Sequence, residues 1–295
     1  MRQLWGLALL GLVACGDRTG LRVPEEGGVP PIDAAARPDT YRNDCPSVSS
    51  TLVFVFTEES QLFTFDPTSF TFTPLGTLGC PTATPSALPF SMAVDRHGTA
   101  YVEFANGNVI DGLFRVQVTG PTCTPTQFVT GQSGFNLFGM GFTTDQGGPA
   151  ESLFVAEGEA DGGLHALGTI ETSTFTLSKI AALSGSISFP ELAGTGDGRL
   201  FAFSAATADT SRKGAFIVQL DKNTGNILAR DDLPTVTLGR AWAFAYWGGN
   251  FYLFTAPTPA GSIVTQFDPQ SSKVTDVARL PLLIVGAGVS TCAPP

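Results

Sequence analysis

Apolar residues recur along this chain in short bursts, each closed by a turn, and not at helical spacing. The clearest bursts are 100–104, 152–156, 200–204 and 251–255. Each follows a tight polar turn, at 95–98, 145–148, 195–198 and 247–250, so the step is about 50 residues. A second set of bursts keeps the same step: 62–66, 113–117, 164–168, 217–221 and 264–268. A third set follows at 70–75, 127–130, 174–180, 226–229 and 273–278. Thr, Val and Phe dominate these segments, as pleated, packed strands prefer. Strict alternation is broken because strands buried on both faces read as continuous apolar runs.

Short strands in units that repeat every 50 residues or so predict a ring of small sheets. The expected fold is all-β: a five-bladed β-propeller of four-stranded antiparallel blades. The first unit begins at 51–56 and lacks an inner strand. The segment 285–292 (VGAGVSTC) parallels 138–145 (FGMGFTTD), an inner strand leading into its turn. Pairing of the N- and C-terminal strands therefore closes the ring and removes the open edge. A sixth blade would need strands in 16–44, where the composition offers none. This register puts Cys292 at the turn position held by Asp145, and Cys45 just ahead of the next strand. It predicts a Cys45–Cys292 disulfide and, by elimination, Cys80–Cys123.

The chain starts with Met1-Arg2-Gln3 and an apolar run of ten residues, 4–13, too short to span a bilayer. The run ends in Leu12-Val13-Ala14-Cys15, which resembles the lipobox of bacterial lipoproteins. The resemblance implies cleavage after Ala14, a lipid on the Cys15 sulfur, and an extracytoplasmic place in the cell envelope. The partner would then be a membrane, outer membrane or cell surface, reached through the acyl chains. Residues 1–14 read as signal peptide, 15–44 as lipidated cysteine and flexible tether, and 45–295 as the propeller. A Gly- and Pro-rich tether of this length spans roughly 30 Å; the alternative is an extended segment packed on the domain. The segment 91–102 (SMAVDRHGTAYV) is similar to NHL-type propeller repeats, and 217–225 (IVQLDKNTG) resembles quinoprotein-like repeats. Both resemblances imply the fold and transfer no function.

Charge and chemistry narrow the function. Acidic residues outnumber basic ones by 26 to 16, and the net charge of −10 argues against a nucleic-acid partner. Catalytic signals are poor. His97 and His165 are the only histidines, and neither a GxSxG elbow nor a phosphate loop is present. Asp95, Asp145 and Asp197 recur in the first turns and read as turn formers. The loops expected on one face hold Glu58, Glu59, Asn106, Asp111, Asp209, Arg212 and Lys213, a mainly acidic surface for a protein or glycan partner. On that face Glu157, Glu159 and Asp161 alternate like the opening of a calcium loop, without the Glu that closes an EF-hand. Ca²⁺ is the one cofactor they bring into view. Asn136, Glu191, Arg240 and Trp242 fall where loops ring the channel mouth, and are candidates to hold a sugar or peptide. The aromatic residues there serve equally to fill the space between blades.

The sequence thus reads as a membrane-anchored, extracytoplasmic β-propeller acting as a non-catalytic binding or scaffolding module. The alternatives are a calcium-assisted lactonase-like or glycan-acting hydrolase using carboxylates at the channel mouth, and a purely structural envelope lipoprotein.

Overall fold

Neighbouring strands pair antiparallel throughout, in five separate four-stranded sheets. This computed structural model describes residues 28–33, 45, 52–145, 148–158, 165–185, 187–206 and 212–294. Blade 1 holds β1 (Val53–Thr57), β2 (Gln61–Asp66) and β3 (Thr71–Thr77). Blade 2 is β4 (Leu88–Val94), β5 (Thr99–Asn106), β6 (Val109–Gln117) and β7 (Cys123–Pro125). Blade 3 is β8 (Gly139–Thr144), β9 (Glu151–Gly158), β10 (His165–Glu171) and β11 (Thr176–Ala182). Blade 4 is β12 (Glu191–Gly194), β13 (Leu200–Ala205), β14 (Lys213–Leu220) and β15 (Ile227–Thr237). Blade 5 is β16 (Trp242–Trp247), β17 (Asn250–Thr258), β18 (Gly261–Asp268) and β19 (Lys273–Leu280). The last strand, β20 (Ile284–Gly288), pairs with β1 and supplies the inner strand of blade 1. The inner strands touch in the order β20, β4, β8, β12, β16 and back to β20, so the molecule is a five-bladed β-propeller.

The outer strand of blade 2 departs from its expected position. It is β7, and no strand forms at 127–130. Pro125 has no N–H to extend the ladder. Beyond it, the Thr126 and Thr130 hydroxyls donate to the carbonyls of Leu113 and Ile110 instead.

Turn chemistry repeats from blade to blade. Asp66, Asp221 and Asp268 each accept the backbone N–H two residues on, and Glu171 does the same in blade 3. The fifth residue of each turn is left-handed: Phe70, Phe175, Gly225 and Ser272. Asp95 likewise accepts the N–H groups of His97 and Thr99. These acids hold hairpins, the role that Asp residues favour in turns.

The core is divided into five slabs, one at each blade interface. The slab between blades 4 and 5 is the most aromatic, with Phe201, Phe203, Phe244, Tyr246, Phe251 and Phe267. The slab between blades 3 and 4 is mainly aliphatic around Phe154 and Phe216. The other three hold the remaining interfaces. Part of the segment expected to be tether joins the first slab. Ile32 is 4% exposed within it, and the Pro30 carbonyl accepts the Arg230 N–H. The Ile32 N–H bonds Asp231, whose carboxyl burial nevertheless pushes up to about 6.

Closure is covalent as well as hydrogen-bonded. Cys45 bonds Cys292, with Cα atoms 5.8 Å apart, and Cys80 bonds Cys123. Beside the first bond, Glu151 accepts the Arg96 N–H and the Thr291 hydroxyl, linking blades 1, 2 and 3.

Candidate functional site

The axis of the ring is sealed along its lower part. Gly141 of β8 lies so close to β12 that an added Cβ would stand 2.9 Å from the Leu192 carbonyl. A Cβ on Gly194 would overlap the Phe142 carbonyl, and one on Gly139 would overlap that of Pro190. Gly286 and Gly288 of β20 meet β4 in the same way, at 2.9 Å from the Met92 nitrogen and 2.7 Å from a Val94 methyl. None of these five glycines has a positive φ, so the constraint is close approach of backbones and not conformation. Where the inner strands touch, the space left is about 10 Å³.

Above the seal, the inner strands part and a blind cavity of about 340 Å³ opens at the mouth. All five blades contribute. Glu58 and Val285 come from blade 1, Phe90 and Asn108 from blade 2, Leu137 from the entry to blade 3, and Phe189, Glu191 and Arg212 from blade 4. Arg240, Ala241 and Trp242 come from blade 5. Apolar and polar surface share the walls almost evenly, with Glu58, Asn108, Glu191, Arg212 and Arg240 set among apolar side chains, and small-molecule sites likewise combine apolar walls with placed polar groups.

Glu191 forms the floor. Its Oε2 accepts the Ser91 hydroxyl at 2.9 Å, a contact that crosses the axis from blade 2 to blade 4. Ser91 also accepts the Met140 N–H at 3.3 Å. Burial pushes the Glu191 carboxyl well above the usual carboxylate range, against the Ser91 hydrogen bond, which lowers it. Ser91 lies opposite Glu103 in the β4–β5 register, so the two side chains leave the same face of blade 2. Glu103 is fully buried, and neither carboxylate oxygen has a partner in hydrogen-bonding geometry. Burial raises it strongly, the charges of Glu191 and Glu157 raise it further, and the facing Phe138 N–H only partly offsets them. The floor is therefore a buried carboxyl with a second behind it, both pushed by burial above the usual carboxylate range.

The wall on the blade 4–5 side is cationic and aromatic. The Arg212 guanidinium lies over the Trp242 ring, 4.3 Å from its centroid. It donates to the Gly239 carbonyl at 3.1 Å. The Trp242 indole N–H donates to the Phe189 carbonyl at 3.3 Å. Phe189 and Arg212 both have left-handed backbones, with φ of 45° and 43°. For bulky side chains this is strained, and such strain gathers at ligand sites. Across the rim, one Arg240 nitrogen meets both oxygens of Glu58, at 2.6 and 2.8 Å.

Of the four residues singled out from the sequence as ligand candidates, Glu191, Arg240 and Trp242 line this cavity. Asn136 does not; its backbone N–H donates to Glu157 Oε2 and its side chain to the Gly134 carbonyl. Glu157 sits near the end of β9, 2% exposed, and turns inward to that N–H. Glu159, Asp161, Asp209 and Cys15 lie outside the described residues. Among the described residues, no group of three His, Cys, Asp or Glu is placed to hold a metal ion. Asp111 caps the N–H groups of Ala83 and Thr84, and Arg212 and Arg240 give the mouth both signs of charge. His165 Nδ1 lies 3.3 Å from the Ile187 carbonyl, away from the residues that line the cavity. Sequence reasoning passed over Ser91 and Glu103. The signal for Glu103 was a lone carboxylate inside the apolar burst 100–104.

A second cavity, of about 430 Å³, lies at the opposite end, against the outer strands of blade 2 around Tyr101 and Arg115. It is an open, polar groove between hairpins and collects residues of one blade only.

No family model matches the chain, and no curated protein matches it. Among solved structures, 380 chains match. One is hydrazine synthase of Kuenenia stuttgartiensis, at 14% identity and a TM-score of 0.42, covering 77% of this chain. The alignment spans 65% of the length of that chain.

Proposed function

We propose that this protein is an envelope lipoprotein whose propeller binds a small ligand in the mouth cavity without transforming it. The observation that carries the reading is the blind cavity itself. Five glycine-tight contacts close the axis below it, while each blade contributes a side chain above it. A scaffold with no ligand has no need of a buried acid, a stacked guanidinium and two strained residues at one opening. The Cys15 motif and the apolar run before it support anchoring outside the cytoplasm.

Two measurements test this. Intact mass of membrane-extracted protein should show a diacylglycerol-sized addition on Cys15; an unmodified Cys15 removes the anchor. A thermal-shift screen of small polar and aromatic compounds against the full chain should yield hits that Asn108→Trp abolishes. Asn108 is exposed at the rim, so the larger ring fills the cavity without touching the core. Hits indifferent to this change would place binding elsewhere.

Glu191 also fits a second reading, the hydrolase. A carboxyl that burial pushes above the usual range at a cavity floor suits a general acid. Turnover of a lactone or glycoside that Glu191→Gln abolishes, with binding intact, would favour it.

A further inference from the structure

The wall of the mouth cavity defines the class of ligand, and this step rests on the small-ligand reading above. We propose that the cavity is a receptor site for a small carboxylic acid carrying one flat apolar ring, with Arg212 as the group that binds its carboxylate. Among the described residues, no carboxylate lies within ion-pairing distance of Arg212, whereas Arg199, Arg230, Arg240 and Arg279 each have one. Among the described residues its guanidinium makes one hydrogen bond, to the Gly239 carbonyl, so most of its five donors have no partner there. The indole beneath fixes the plane of the fork, so little freedom is lost when a carboxylate is gripped in bidentate fashion. Among the described residues this half-buried cation has no counter-ion, and an anionic ligand supplies that charge.

The rest of the cavity sets the body of the ligand. Phe90, Leu137 and Phe189 offer apolar walls to a ring. The available space, about 340 Å³, is near the lower end for ligand sites, which suits one ring and a short chain. The acids nearby are offset: Glu58 is paired with Arg240, and the Glu191 carboxyl is engaged by the Ser91 hydroxyl at the floor, where burial favours its protonated form. A sugar fits less well. The face of Trp242 that would stack on a pyranose is occupied by Arg212.

Titration of the full chain with benzoate, benzamide, benzylamine and glucuronate, read by thermal shift and calorimetry, tests the assignment. Asn108→Trp serves as the site control. Benzoate is expected to bind at least tenfold more tightly than benzamide, the increment of one charge-assisted bidentate contact. Arg212→Met should remove that difference while leaving benzamide unchanged. Arg212→Lys, which keeps the charge but not the fork, should restore only part of it. Circular dichroism melts of both variants separate loss of binding from loss of fold. Benzamide equal to benzoate, or benzylamine preferred, would overturn the assignment of an anion while the cavity remains a binding site. Glucuronate preferred over benzoate would overturn the apolar ring. Failure of every probe to bind in a manner that Asn108→Trp abolishes would overturn this assignment; the wider thermal-shift screen then decides whether the small-ligand reading survives it.

Discussion

The lower axis and the mouth are built from the same five inner strands, yet one is sealed and the other holds a cavity. The difference lies in side-chain size at matching positions. Gly139 and Glu191 open the ladders of blades 3 and 4, opposite Ala156 and Phe203, and Ser91 lies opposite Glu103 after the bulge in blade 2. Gly139 lets two backbones touch, while Ser91 and Glu191 reach across the axis to each other. Two or three residues further along, Gly141, Gly194 and Gly288 bring adjacent blades into close contact and little space remains to fill. A ring of five blades closes tightly only where side chains vanish, and it gains a ligand site where they return.

Breaking the seal should have the largest effect. Gly194→Ala places a methyl inside the Phe142 carbonyl, and the rigid strands on either side cannot yield. We expect a loss of about 3 kcal/mol, measured as a fall in the urea midpoint at unchanged m-value. A neutral result would mean that the inner strands separate easily, and the contrast with the mouth would lose its basis.

The next effect has the opposite sign. Burial raises the Glu103 carboxyl strongly and the Phe138 N–H offsets this only in part, so Glu103→Gln, which removes the ionisable group, should stabilise the protein at pH 8, on the order of 1–3 kcal/mol. Glu103 and Glu191 both titrate higher in the folded chain than in the unfolded one, where the ordinary value is 4.5. The stability they contribute is therefore complete below about pH 4.5 and is lost as pH rises through their folded values. Denaturation curves between pH 4 and 9 should show this decline, and Glu103→Gln should remove most of it. A flat profile in the wild type would show that the acids are hydrated.

Glu191→Gln should act in the same direction but less, because the Ser91 hydroxyl already offsets part of the burial. The smallest change belongs to the rim. Arg240 is 55% exposed and Glu58 28%, so Arg240→Ala should shift stability by less than about 0.5 kcal/mol. A larger loss would make the rim pair part of the fold rather than of the site.

The period of about 50 residues made the propeller legible, because a strand that packs on both faces announces itself by an apolar burst and a polar turn. The similarity of 285–292 to 138–145 was enough to foresee that β20 completes blade 1. Side-chain traffic between blades was less legible. The Ser91–Glu191 contact joins residues 100 apart, and the stacking of Arg212 on Trp242 joins two blades. No local pattern encodes either. Ile32 reads as part of a Gly- and Pro-rich linker, and only the gap between blades 4 and 5 makes it a core residue. The outer strand of blade 2 was misplaced because Thr126 and Thr130 have strand composition but spend their hydroxyls on carbonyls of β6 and its neighbourhood.

The sequence by itself determined the number of blades, the closure by strand exchange and the turn acids, since each depends on residues within one repeat or on likeness between repeats. Only the tertiary structure decided where the axis is sealed, which acids burial pushes above the usual carboxylate range, and which arginine is left facing a cavity. Those outcomes depend on how near the backbones of different blades approach, a distance set by all five units packing at once.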